Sequence, residues 1–152
     1  MKQGTFLVTE ADAETAVLRD VTDSQVHTLA ENPGFECGTL VDATLAPEPP
    51  LEVTWTVAEL DREFTVEIAE SAEPPTRRVH ETAAAQSAGE LTRHERAGTG
   101  EVHVLTVPHA TTDEAVAEVL DDEATVERAA RLGVERVEVR SEPGVVSVRY
   151  LP

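Results

Sequence analysis

Residues 71–75 read Ser71-Ala72-Glu73-Pro74-Pro75, and this double proline separates two differently patterned halves of the chain. Proline cannot donate to a strand ladder, yet it is well tolerated at the start of a helix, so Pro74-Pro75 closes a β pattern and is placed to introduce an α one. The sequence therefore predicts a domain over residues 1–73, a proline linker at 74–75 and a second domain over 76–152.

On the N-terminal side the apolar residues recur with period two. Strands are predicted over residues 4–9, 15–21, 25–31, 39–46, 51–59 and 63–70. The polar link around Thr22-Asp23-Ser24 and the turn signal Asn32-Pro33-Gly34 are short enough to make successive strands antiparallel. In Leu51-Glu52-Val53-Thr54-Trp55-Thr56-Val57 the odd positions are apolar, which predicts one buried face with Trp55 at its centre. Strands this short and numerous leave two costly edges if the sheet stays flat, so a small antiparallel β-barrel of oligonucleotide-binding (OB-like) type is expected, with Pro47-Glu48-Pro49-Pro50 as a corner.

On the C-terminal side the order reads α-β-α-α-β-β. Val79, Ala83, Ser87 and Leu91 form a stripe at four-residue spacing, predicting one helix from 76 to 95. A strand follows over 101–107. Thr111-Thr112-Asp113-Glu114 has the form of a capping box, Asp121-Asp122 breaks this helix and caps the next, and Gly133 ends the latter. Residues 136–140 and 145–150 alternate around the turn Ser141-Glu142-Pro143-Gly144, predicting a hairpin. The whole is an α+β protein.

Thirty acidic residues against twelve basic ones give a formal charge of -18, and Lys2 is the only lysine. With 40% apolar residues the chain has enough hydrophobic material for a core, so the charge is read as a solvent adaptation: at about 1 M salt the Debye length falls to about 3 Å and self-repulsion is largely screened. Halophily makes overall acidity uninformative about partners, and only departures from it count. Cys37 is the single cysteine, which excludes an intrachain disulfide and suggests a small buried hydrophobe. No leader-like N-terminus and no membrane-length apolar run is present, so a cytoplasmic location is expected.

Residues 76–96 are the departure from acidity. Arg77, Arg78, Arg93 and Arg96 outnumber Glu81, Glu90 and Glu95 there, whereas residues 1–75 hold 16 acids and 3 bases. Read as one arginine-bearing helix, this segment is a docking site for phosphate or an acidic partner; read structurally, it is a solvated face with internal ion pairs. The five histidines, His27, His80, His94, His103 and His109, lack zinc-ligand spacing. Asp121-Asp122-Glu123 lacks the glycine of a calcium loop, and Gly98-Thr99-Gly100 precedes a strand where a phosphate loop precedes a helix. Cys37 beside Gly38 has no recognisable nucleophile setting. No catalytic residue, metal or cofactor is predicted.

The stretches LVTEADAETAVLRDV (7–21), EPPLEVTWTVAEL (48–60) and RLGVERVEVRSEPGVVSVRYLP (131–152) resemble a family of small acidic haloarchaeal proteins of unknown function. That resemblance implies an origin and carries no site. Three functional readings stay open: a non-catalytic binding or adaptor module for another macromolecule, with a protein partner favoured; an RNA or single-strand DNA accessory protein using the arginine-bearing helix 76–96; and an enzyme with an unrecognised site.

Overall fold

The period-two pattern of the first 64 residues forms five strands: β1 (Lys2–Ala11), β2 (Ala16–Asp20), β3 (Val26–Leu29), β4 (Leu40–Pro47) and β5 (Trp55–Phe64). The computed structural model describes residues 1–152, which divide into two compact units, Met1–Thr65 and Val66–Pro152. In the first unit the sheet closes on itself in the order β1-β2-β3-β5-β4. The pairings are antiparallel except β3 with β5, which meet in parallel at Leu29 and Trp55. Register shifts between Val8 and Glu10 and along β4–β5 are bulges of the kind that bend a strand towards closure.

The inward face carries Phe6, Val8, Leu18, Leu29, Val41 and Leu45, all fully buried. Phe6 is the largest of them, and truncating such a residue to alanine costs about 3–5 kcal/mol. Trp55 is only half-buried at the margin of this cluster, so the centre of the core lies at Phe6 and not at the tryptophan. The two are joined through His27, whose ring stands edge-on to both, with centroids 5.5 Å from Phe6 and 4.8 Å from Trp55.

Three local expectations are corrected here. Leu51 and Val53 do not join Trp55 on a buried face; they are 78% and 73% exposed. Pro47 pairs with Trp55 across the hairpin, so 48–54 is connection, and Glu52 at φ 57 breaks the alternation that a strand would need. Cys37 is exposed, with its thiol 3.2 Å from the Thr9 carbonyl oxygen. The strand expected over 63–70 is split: β5 ends at Phe64, and a separate strand, β6 (Glu67–Glu70), belongs to the second sheet.

The second unit contains β6, α1 (Arg77–Ala84), β7 (Leu91–Glu95), β8 (Glu101–Thr106), a 3₁₀ turn (His109–Thr111), α2 (Thr112–Asp121), α3 (Glu123–Leu132), β9 (Arg136–Glu142) and β10 (Val145–Leu151). The sheet order is β6-β9-β10-β8-β7. β10 is thus the central strand, not an edge, and its odd and even positions face different layers. Val146, Val148 and Tyr150 pack with Val116 of α2 and Ala129 of α3. On the opposite face Val79 and Ala83 of α1 lie over Val102, Val104 and Val145.

The order α-β-α-α-β-β lacks two strands that the structure contains, β6 and β7. The helix expected over 76–95 stops at Ala84, because Gly89 takes φ 89 and the backbone then changes partner: Gly89 N–H donates to Thr106 O and Thr106 N–H to Glu90 O. Leu91, the last residue of the supposed stripe, is on an edge strand and 46% exposed. The capping box also fails, since the Thr111 hydroxyl donates to the Pro108 carbonyl instead of accepting from the helix. Asp122 behaves as expected, ending α2 and accepting from Ala124 N–H at 2.9 Å to start α3. Gly133 closes α3 in the left-handed region at φ 73, where a Cβ is disfavoured. No helix is long and apolar enough to cross a membrane.

Candidate cationic cleft

The period of β10 determines what the α1 side of the sheet exposes. Ser147 and Arg149 alternate with the α2/α3-facing valines, and strand register places Arg149 beside Val102 and Val102 beside His94. This row runs across three strands. The first turn of α1 stands over it with Thr76, Arg78 and Val79, and the β7–β8 turn contributes Arg96 and Ala97, enclosing a cleft of about 300 Å³. Three guanidinium groups, Arg78, Arg96 and Arg149, line it against one carboxylate, Glu95.

Each arginine is held by a different device. Arg78 donates to His94 Nδ1 at 3.3 Å, and a guanidinium has no acceptor, so this imidazole nitrogen is the accepting one. The remaining ring nitrogen, Nε2, lies 2.9 Å from the Thr82 hydroxyl, which itself donates to the Arg78 carbonyl at 2.9 Å. Arg96 donates to the Thr99 carbonyl at 2.9 Å within the β7–β8 turn. That turn requires Gly100: its φ is 110, and a Cβ there would collide with the Tyr150 carbonyl oxygen. Arg149 donates to Glu138 at 3.0 Å, and Glu138 also binds Arg140. Burial pushes the Glu138 carboxyl up, but the two arginines outweigh it and hold it below the usual glutamate range.

Ser147 is the unexplained group. It is 1% exposed, lines the cleft and has no hydrogen-bond partner for its hydroxyl. Its strand neighbours are Val104 and Arg140. Buried polar atoms are almost always paired, so an orphan calls for an explanation such as strain, a functional role or a bound water or ion.

The four arginines singled out in the sequence do not form one surface. Arg78 and Arg96 come together in the cleft. Arg77 is highly exposed and paired with Glu81 at 3.0 Å, four residues on. Arg93 stands opposite His103 on β7–β8, which is the α2/α3 side of the sheet. The single arginine-bearing helix 76–96 is therefore replaced by a helix, an edge strand and a turn. Arg149, Ser147 and His94 were missed. The alternation of residues 145–150 already put Ser147 and Arg149 on one face; what sequence could not supply was that α1 and the β7–β8 turn converge over that face.

A second polar cluster lies across the sheet. Glu101 accepts from Arg128 at 2.7 Å and is 2.8 Å from His103 Nε2, whose ring is 4.9 Å from that of Tyr150. Burial raises Glu101, but its bonds to Arg128 and His103 prevail and its pKa is lowered. Burial depresses His103 despite the opposing pull of Glu101. These groups satisfy one another. No group of three or more His, Cys, Asp and Glu side chains is arranged to hold a metal ion.

Fold and cleft together define a mixed α+β protein of two five-stranded sheets and three helices, with a guanidinium-lined cleft on one face of the second sheet. Residues 2–141 match the profile of a family of unknown function, DUF5812, and the chain belongs to that family. No curated protein and no solved structure matches it.

Proposed function

We propose that the protein is a non-catalytic, salt-adapted cytoplasmic binding module that captures an anionic group of a partner macromolecule in the cleft formed by α1, the β7–β8 turn and β10. One observation carries this reading: in a chain of charge -18, Arg78, Arg96 and Arg149 converge on a concave site whose lining holds one carboxylate, Glu95, with Glu138 bonded to Arg149 beside it. Guanidinium groups stay protonated and act as fixed donors. A serine nucleophile needs a base within hydrogen-bond reach, and Ser147 has none, so the chemistry supported is holding charge, not transferring a group.

The ring order β1-β2-β3-β5-β4 with one parallel pairing supports an OB-like barrel for the first unit. That architecture commonly binds oligonucleotides, which keeps the RNA or single-strand DNA reading as an alternative. Stacking platforms are what such a role needs; Phe6 and Phe35 are buried in the core, Trp55 packs against it, and the half-buried Phe64 ring is covered by the Arg62 guanidinium at 3.8 Å. A protein partner is therefore favoured.

Affinity capture from a host extract at molar salt, with and without nuclease, tests this when wild type is compared with Arg78→Gln/Arg96→Gln. A stoichiometric protein recovered by wild type after nuclease, and lost with the double variant, is expected. Equal recovery by both forms would remove the cleft from the function, and loss of the partner on nuclease treatment would select the nucleic-acid reading.

A further inference from the structure

Resting on the reading of the cleft as an anion site, we infer that the group it takes is a phosphomonoester, with the Ser147 hydroxyl as the buried donor. Two independent features converge. The first is charge: Arg78, Arg96 and Arg149 line the cleft with Glu95, and even with Glu138 bonded to Arg149 a positive excess remains for an anion; a monoester phosphate carries about -1.5 to -2 charge and three acceptor oxygens at neutral pH. The second is the orphan hydroxyl. Ser147 is 1% exposed and without a partner, yet it lines the same space as Arg78 and Arg149. A phosphoryl oxygen accepts from a hydroxyl and from guanidinium groups alike.

The surroundings narrow the class. Val79, Ala97 and Val102 supply an apolar wall for the organic part of the ester, and about 300 Å³ is the lower end of small-ligand pockets, about 300–1,000 Å³. No Phe, Tyr or Trp lines the cleft, and its one imidazole, His94, is engaged by Arg78 and Thr82. A phosphodiester offers only a single charge and continues on both sides of the phosphorus. The first turn of α1 adds its positive end beside Thr76 and Arg78, which favours the same ligand charge. A buried hydroxyl and planar guanidinium forks act at contact distance, where salt screens least.

Isothermal titration of the full chain in molar potassium chloride with glycerol 3-phosphate is the test, with glycerol, a short oligoribonucleotide and a poly-glutamate peptide as comparisons. Glycerol 3-phosphate should bind and glycerol should not. Ser147→Ala should weaken binding about ten- to hundredfold, the loss expected for one hydrogen bond to a charged group. Arg149→Lys, which keeps the charge but not the planar fork, should also weaken it. Unchanged affinity in Ser147→Ala would overturn the assignment of the hydroxyl. If glycerol 3-phosphate fails while the oligoribonucleotide or the peptide binds and is lost in Arg78→Gln/Arg96→Gln, the phosphomonoester is wrong and the cleft stands. If none binds, both fall.

Discussion

A buried hydroxyl left without a partner costs about 1–3 kcal/mol, and Ser147 occupies the middle of the central strand with its oxygen in that state. Ser147→Ala is therefore expected to leave ligand-free stability unchanged or raise it by up to about 1 kcal/mol in chemical denaturation; a loss of more than that would mean the hydroxyl supports the fold. Across the sheet the reverse holds. Arg128→Ala strips Glu101, 16% exposed at its side chain, of its cation, and should cost about 1–3 kcal/mol by the same measurement. The histidines set a pH dependence. Burial depresses both His27 and His103, so the unfolded chain binds protons more readily than the folded one. Their stabilising contribution is complete above the ordinary histidine value, about 6.5, and is lost as pH falls through and below it. Glu101, also depressed, extends the loss below the ordinary carboxylate range. The midpoint of thermal unfolding should thus be lower at pH 5 than at pH 7, with the difference reduced in His27→Phe and in His103→Gln. An identical pH profile in both variants would contradict this.

At the level of elements, the strongest sequence signals were those with their own local chemistry. Asp122 is one: it accepts from Ala124 N–H at 2.9 Å, and Asp122→Ala should cost about 0.5–2 kcal/mol, readable as a lowered denaturation midpoint with an unchanged slope. Gly133, the hairpin at Pro143-Gly144 and the period-two strands β1, β2, β4, β9 and β10 were legible for the same reason. Segments that were misread had two compatible patterns. Val79, Ala83, Ser87 and Leu91 fit a helix, but Gly89 at φ 89 interrupts it, and pairing of Leu91–Glu95 with β8 decided in favour of the strand. Leu51 and Val53 fit a buried strand face, and it was the register of Pro47 with Trp55 that turned them into an exposed loop. Thr111 fits a cap, but the preceding Pro108 carbonyl took its hydroxyl. Two of the cleft's three arginines, Arg78 and Arg96, were therefore visible in the sequence, while Arg149, Ser147 and His94 depended on contacts between elements far apart in sequence.

For the whole molecule the governing quantity is charge. A formal -18 on 152 residues implies repulsion that dilute buffer leaves unscreened and molar salt reduces. The midpoint of thermal unfolding should therefore rise from dilute to molar potassium chloride, and a flat profile would speak against salt adaptation. Salt also separates modes of binding. Contacts spread along a nucleic-acid backbone weaken steeply with salt through counterion release, whereas one group held in a cleft by a hydroxyl and guanidinium forks should weaken only shallowly. The most direct measurement is a ¹H–¹⁵N chemical-shift titration of the full chain with glycerol 3-phosphate in molar salt. The expected result is a saturable set of shifts centred on Arg78, Arg96, Ser147 and Arg149. Shifts scattered over the surface, or absent at Ser147 and Arg149, would contradict a phosphate-binding cleft.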